Sequence, residues 1–382
     1  MQYVMILLMA LAMPQASFAA WDLNDVSYLM PLPQKLGSDG LLRMNAPGRG
    51  GDLLPAPLLA RLPLLAMDMS REESYAALRV VAVRIDPCFP LPTPMSCQKQ
   101  IRLVWQPLEK GPRQKTLAVD AAFHSFYVLT EEEFPKLLAD LTQWKEQFKV
   151  ETASKPLQIH PAWQEEGDHS PALAAFHEII RKYAGGENLS RVTMMVLRGG
   201  GNMWAFAGFD MKNGSLMMVP VPRLDDRRSQ AFVNMATPAD KFSGGGMSPT
   251  PLGQTDVFQD ILVDSDGLGS GAEELIRREV RAAFRIENPK NYNPENMDCV
   301  SCHVTQPAIR WAVTKRPELK LEELWNSEIY SNHNYNLENI SPLRNNTQVI
   351  RGLGYFGKDP AVSQRVINES AEVADILNAL LK

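Results

Sequence analysis

The chain has 382 residues, 45% of them hydrophobic and 22% charged, with 39 Lys and Arg against 44 Asp and Glu. These are the proportions of a globular protein and exclude wholesale disorder or collagen-like repeats. The formal charge of −5 excludes general nucleic-acid binding, which needs a basic surface.

Met1 to Ala19 contains no charged side chain, and Val4 to Met13 is an unbroken apolar run stopped by Pro14. Small residues follow at Ser17-Phe18-Ala19. The layout predicts a secretory signal peptide over 1–19, its apolar run too short to cross a bilayer. No later stretch approaches the length of a membrane span, so the expected product is a periplasmic or secreted protein. From 20 to 75 the chain is rich in Pro, Leu and Gly and predicts an extended segment lying against a core rather than forming one.

Short β-branched runs over Leu78–Ile85, Gln100–Trp105, Phe123–Leu129, Arg191–Arg198, Met203–Phe209 and Ser215–Val221 predict strands. Thr130 predicts a helix cap with three glutamates in the first turn, and Ser170-Pro171 opens a second helix ended by Gly185-Gly186. The region 76–240 therefore reads as an α+β domain with a mainly antiparallel sheet. The glycine- and proline-rich stretch within 241–270 reads as a linker, and 271–382 as a small helical domain. There, Leu275, Ile276, Val280, Ala283 and Phe284 share one helix face. Asp359-Pro360 predicts the start of the last helix.

The cysteines carry the chemistry. Cys88 and Cys97 bracket a proline-rich loop, which in an oxidising compartment predicts a structural disulfide, with a regulatory thiol pair as the alternative. Cys299-Val300-Ser301-Cys302-His303 is a C-x-x-C-H pentapeptide, the attachment signal for c-type haem. Two thiols three positions apart suit the two vinyl groups of haem, and the adjacent imidazole suits its iron. A thioredoxin-like pair would need a βαβ context, whereas the polar loop Pro289–Met297 precedes this motif. A zinc site is poorly served by adjacent Cys302 and His303, since tetrahedral ligation separates its donors. A simple disulfide within the motif is the remaining alternative.

This C-terminal part of the chain resembles a c-type cytochrome, on the strength of the pentapeptide, the helix-forming segment after it and the amphipathic helix closing the chain. The resemblance covers about the last hundred residues and implies a cytochrome c-like helical domain carrying one covalent haem c. Cys299 and Cys302 would be the thioether sites and His303 the proximal iron ligand. It also implies one-electron transfer with a redox partner protein. The pattern departs from small monohaem cytochromes in one respect: no Met follows His303. The distal ligand is then His333, or a methionine from upstream such as Met235 or Met247, or the position is open. Bis-His ligation would lower the reduction potential relative to Met/His. His124, His160, His169 and His177 read as core or surface residues. The net basic stretch Arg277–Lys320 could hold haem propionates or dock an acidic partner. A haem enzyme of peroxidase type, or a haem-containing binding or sensor protein, are the alternative functions.

Overall fold

The computed structural model describes residues 21–381, apart from 63, 66–68, 90–96, 199–201, 235–245 and 253–255. The segment 1–19, Met235 and most of the glycine-rich stretch before Gly246 therefore lie outside the described residues.

The protein is α+β, built on a ten-stranded antiparallel sheet. Its strands are β1 (Ser27–Leu29), β2 (Leu78–Phe89), β3 (Gln98–Lys110), β4 (Thr116–Ala118), β5 (Ala122–Leu129), β6 (Leu189–Arg198), β7 (Met203–Lys212), β8 (Ser215–Val219), β9 (Ser229–Val233) and β10 (Gly246–Ser248). The main path runs β1-β2-β3-β5-β6-β7-β9-β10. β8 and β9 share one edge of β7: β8 pairs with Gly208–Lys212 and β9 with Met203–Ala207. β4 hangs on the end of β3. The strand runs expected from β-branched composition are strands here, the last ending at Val219 rather than Val221.

Residues paired directly across the ladders share a face, so register sorts the side chains. One face carries Leu103, Ser125 and Val192. It is covered by α1 (Glu133–Gln147) and α2 (Pro171–Tyr183), as the packing of Tyr28 on Trp144 and Phe176 shows. The expected caps are present: Thr130 Oγ1 accepts from Glu133 N at 3.2 Å, and Glu133 Oε2 accepts from Thr130 N at 2.9 Å, a reciprocal capping box. The opposite face carries Arg84, Arg102 and Phe126 in one row, and Ala82, Val104, His124, Thr193 and Gly208 in the next. It is overlain by the C-terminal helices α3 (Glu273–Glu287), α4 (Cys299–Lys315) and α5 (Gln364–Leu380).

Two expectations need correcting. The segment after residue 20 does not merely lie on a core. Trp21, Leu23, Val26, Tyr28 and Leu29 are fully buried, and β1 pairs with β2, because this short run combines large apolar side chains with an edge that needs a partner. The last helix does not begin at Asp359-Pro360. Leu353–Phe356 (β11) and Asp359–Val362 (β12) form a hairpin, turned at Gly357 with φ +59°, a conformation glycine adopts without penalty. Ser363 then caps α5, its hydroxyl accepting from Val366 N.

The apolar side chains gather in two clusters. The larger runs from Trp21 through both faces of the β1–β6 half of the sheet to Ile367, Val373 and Leu377 of α5. The second combines Met195, Trp204, Phe206 and Phe232 of the sheet with α3, α4 and Ile350. The end of the chain thus packs with its beginning: Trp21 N donates to Asn378 Oδ1 at 2.8 Å, and Asn378 Nδ2 donates to Trp21 O at 2.9 Å.

Candidate functional site

The pentapeptide opens α4. Helix starts leave N–H groups without partners, and here a buried Asp298 supplies the cap: its Oδ2 accepts from Ser301 N at 3.0 Å. Gln230 of β9 completes the arrangement, its Nε2 donating to Asp298 Oδ2 at 2.9 Å while its Oε1 accepts from Val300 N at 2.8 Å. The carboxylate also sits where the helix dipole favours negative charge. Residues three and four apart on a helix are neighbours on its surface, so the pentapeptide spacing sets Cys299, Cys302 and His303 on one side of α4.

Neither Cys299 nor Cys302 is in a disulfide. Burial pushes the Cys299 thiol up to about 12, helped by the Asp298 carboxylate, and the Cys302 thiol to about 11. Both are therefore neutral thiols at neutral pH. His303 Nδ1 lies 2.9 Å from the carbonyl oxygen of Ile350. A carbonyl only accepts, so Nδ1 carries the proton and Nε2 keeps its lone pair. Burial lowers the pKa of the imidazole, with the Ile350 hydrogen bond opposing it. The ring packs on Phe206 of β7, centroids 5.0 Å apart.

Beside these residues lies a buried charge network. Arg84 Nε meets Asp86 at 2.7 Å and Arg84 Nη1 meets Glu369 of α5 at 2.9 Å. Arg102 meets Asp86 at 3.0 Å, Arg365 meets Glu369 at 2.8 Å, and Arg351 pairs with Asp120. Arg365, Glu369 and Arg102 all act electrostatically on Cys302. Burial works to raise the Glu369 carboxyl, but Arg365, Arg84 and Arg102 outweigh it and hold it at about 2. Burial lowers the pKa of both Arg102 and Arg351. Arg102 Nε and Arg351 Nε are buried donors without an acceptor, which is costly unless something else supplies one. The network thus has four guanidiniums against three carboxylates and two N–H groups to spare.

Two hollows flank the site. One, about 240 Å³ including its open mouth, is lined by His303, Gln306, Pro307, Arg351, Val362 and Ser363. The other, about 560 Å³ including its open mouth, is lined by Gln100, Arg191, Asp210 and, from the loop before the pentapeptide, Glu295.

The structure therefore gathers Cys299, Cys302 and His303, and sets His333 elsewhere. His333 is exposed, in a loop whose neighbours Asn332, Asn334 and Tyr335 are bound to Asp375. Asp375 lies about 15 Å along α5 from Arg365 at 1.5 Å per residue. Met247 is buried in the second cluster and pairs with Phe232. Cys88 and Cys97 form a disulfide with their Cα atoms 4.5 Å apart. The basic residues of 277–320 are largely matched by acids: Arg281 with Glu328, Arg285 with Asp256, Arg310 with Glu322 and Arg316 with Glu318. Among the described residues, no three His, Cys, Asp or Glu side chains converge to hold a bare metal ion, and no helix is long and apolar enough to cross a membrane. Sequence reasoning missed the buried arginines and the Asp298–Gln230 cap. The only signal for the first was arginine recurring inside strand-like runs.

No family model, curated protein or solved structure matches this chain. The reading of its function rests on the site alone.

Proposed function

We propose that the chain is an exported monohaem c-type cytochrome, periplasmic or secreted, that exchanges single electrons with a redox partner protein. One observation carries the reading: a C-x-x-C-H helix start whose thiols are neutral and unbridged and whose histidine has Nδ1 tied to a backbone carbonyl. Histidines that bind metal through one ring nitrogen commonly anchor the other in this way. The segment 271–382 acts as the cytochrome c-like part, with its helices laid on the sheet.

The residues present suit haem c. Cys299 and Cys302 would hold it through thioethers, each S–H adding across a vinyl C=C with sulfur on one carbon and hydrogen on the other, so no oxidant would be consumed. His303 offers Nε2 to the iron. Arg102 Nε and Arg351 Nε suit the two propionates, since charge-assisted hydrogen bonds to carboxylates satisfy buried guanidiniums best. The iron, once bound, supplies one-electron chemistry whose potential depends on axial ligands, burial and nearby charge. Here the protein keeps the site half-buried, fixes the imidazole through Ile350 and surrounds it with an excess of positive charge, which favours the ferrous state. The Cys88–Cys97 disulfide suits an oxidising compartment.

Expression of the full chain with a cytochrome maturation system tests this. Haem should remain on the polypeptide in a denaturing gel and be lost from Cys299→Ser/Cys302→Ser. A wild-type band without haem would sink the proposal.

A further inference from the structure

We propose that His124, on the central strand β5, is the second axial ligand of the haem iron, facing His303 from the sheet side. The assignment rests on the haem reading above and extends the site to a residue 179 positions before its partner (303 − 124).

Register supplies the first argument. His124 pairs with Val104 on one side and Thr193 on the other, and Thr193 pairs with Gly208. Phe206, whose ring contacts His303, lies two residues from Gly208 and so on the same face. His124 is thus two strands and one two-residue step from the residue on which His303 rests. With strands about 4.8 Å apart and a rise of about 3.4 Å per residue, that is about 10 Å across and about 7 Å along. Two imidazoles reaching inward from such positions, one from the sheet and one from α4, approach each other.

Coverage supplies the second. α4 packs on β7 and β9, and α5 packs on β2. Between them lie β5 and β6, whose residues on this face include His124, Arg191 and Thr193. Each of these, with Arg102 beside them, keeps accessible surface. Yet burial dominates the titration of His124, and the charges of Arg102, His303 and Arg351 reach it. Its half-exposed surface lies on the sheet face that also carries Phe206, on which the His303 ring rests.

The imidazole itself supplies the third. Among the described residues its ring touches Phe126 and makes no hydrogen bond. The other histidines are differently placed. His160 accepts from Ala162 N and stacks on Tyr28, His177 is buried against Phe176, and His169 and His333 are exposed.

The ferric holoprotein of the full chain decides the matter by visible and electron-paramagnetic-resonance spectra, read alongside the covalent-haem gel. Wild type should be six-coordinate and low-spin. His124→Ala should retain covalent haem but become predominantly high-spin, and added imidazole should restore the low-spin signal. His124→Met, which conserves bulk, should stay low-spin with an altered signal and a raised potential. His333→Ala should match wild type. Covalent haem with an unchanged low-spin spectrum in both His124 variants would overturn the assignment and leave the cytochrome reading intact. A high-spin wild type would overturn it too and favour the peroxidase-type alternative. Absence of covalent haem from wild type would remove both readings together.

Discussion

Buried acids around α4 and α5 titrate in opposite directions, according to whether the arginines near them outweigh the cost of burial. Glu369 is held at about 2, against an ordinary 4.5, by Arg365, Arg84 and Arg102. A depressed carboxyl contributes stability that is present above its unfolded pKa and is lost as pH falls through its folded one. Glu369→Gln should therefore flatten the acid limb between about pH 4.5 and 2. At neutral pH it should cost about 3 kcal/mol by leaving buried guanidiniums unpaired, read from urea midpoints across pH. Glu287 behaves inversely: burial raises it to about 7 despite Arg310 and Arg365. Its contribution is present below about 4.5 and lost as pH rises through about 7, so Glu287→Gln should be the more stable protein at pH 8, by on the order of 2 kcal/mol. None of these pairings was legible in the sequence. Arginines alternating with Val and Ile in Leu78–Ile85 look the same whether their face meets water or a helix bearing Glu369. His124 was opaque for the same reason: its neighbours come from ladder register, which a lone strand does not specify.

Elements were more legible than their junctions. The strand runs and the Thr130 and Ser170 helix starts follow from local composition, and local rules held there. The rule failed at Asp359-Pro360, where an N-cap signature competes with a hairpin. The hairpin prevails because β3 anchors it: Gln106 Oε1 accepts from Tyr355 N at 2.7 Å, while Gln106 Nε2 donates to Tyr355 O at 3.0 Å. Gly354 makes that approach possible. It has φ +147°, and a Cβ there would run into Gln106 Oε1. Gly354→Ala should therefore break the bridge around a fully buried glutamine and lower stability by about 2 kcal/mol or more. A thermal melt checks this, with Gly357→Asn, which tolerates the turn's positive φ, expected to cost much less.

At the scale of the molecule, sheet and C-terminal helices are joined along their length, from Trp21–Asn378 at one end to the Gln230–Asp298 cap at the other. The segments that close over the pentapeptide also come after it in the chain. Ile350 receives His303, Arg344 O accepts from Gln306 Nε2 at 2.9 Å, and Gln364 N donates to Gln306 Oε1 at 2.5 Å. A folded apoprotein should accordingly protect its half-buried thiols. Alkylation of Cys299 and Cys302 at pH 8 should run roughly a hundredfold slower than in urea, since only thiolate reacts and burial suppresses it. Comparable rates would show that the site stands open. The wrap around α4 thereby imposes a schedule on biogenesis. On the haem reading proposed above, attachment belongs to the stage when residues 339–364 are still unfolded, and chain that folds first should load more slowly.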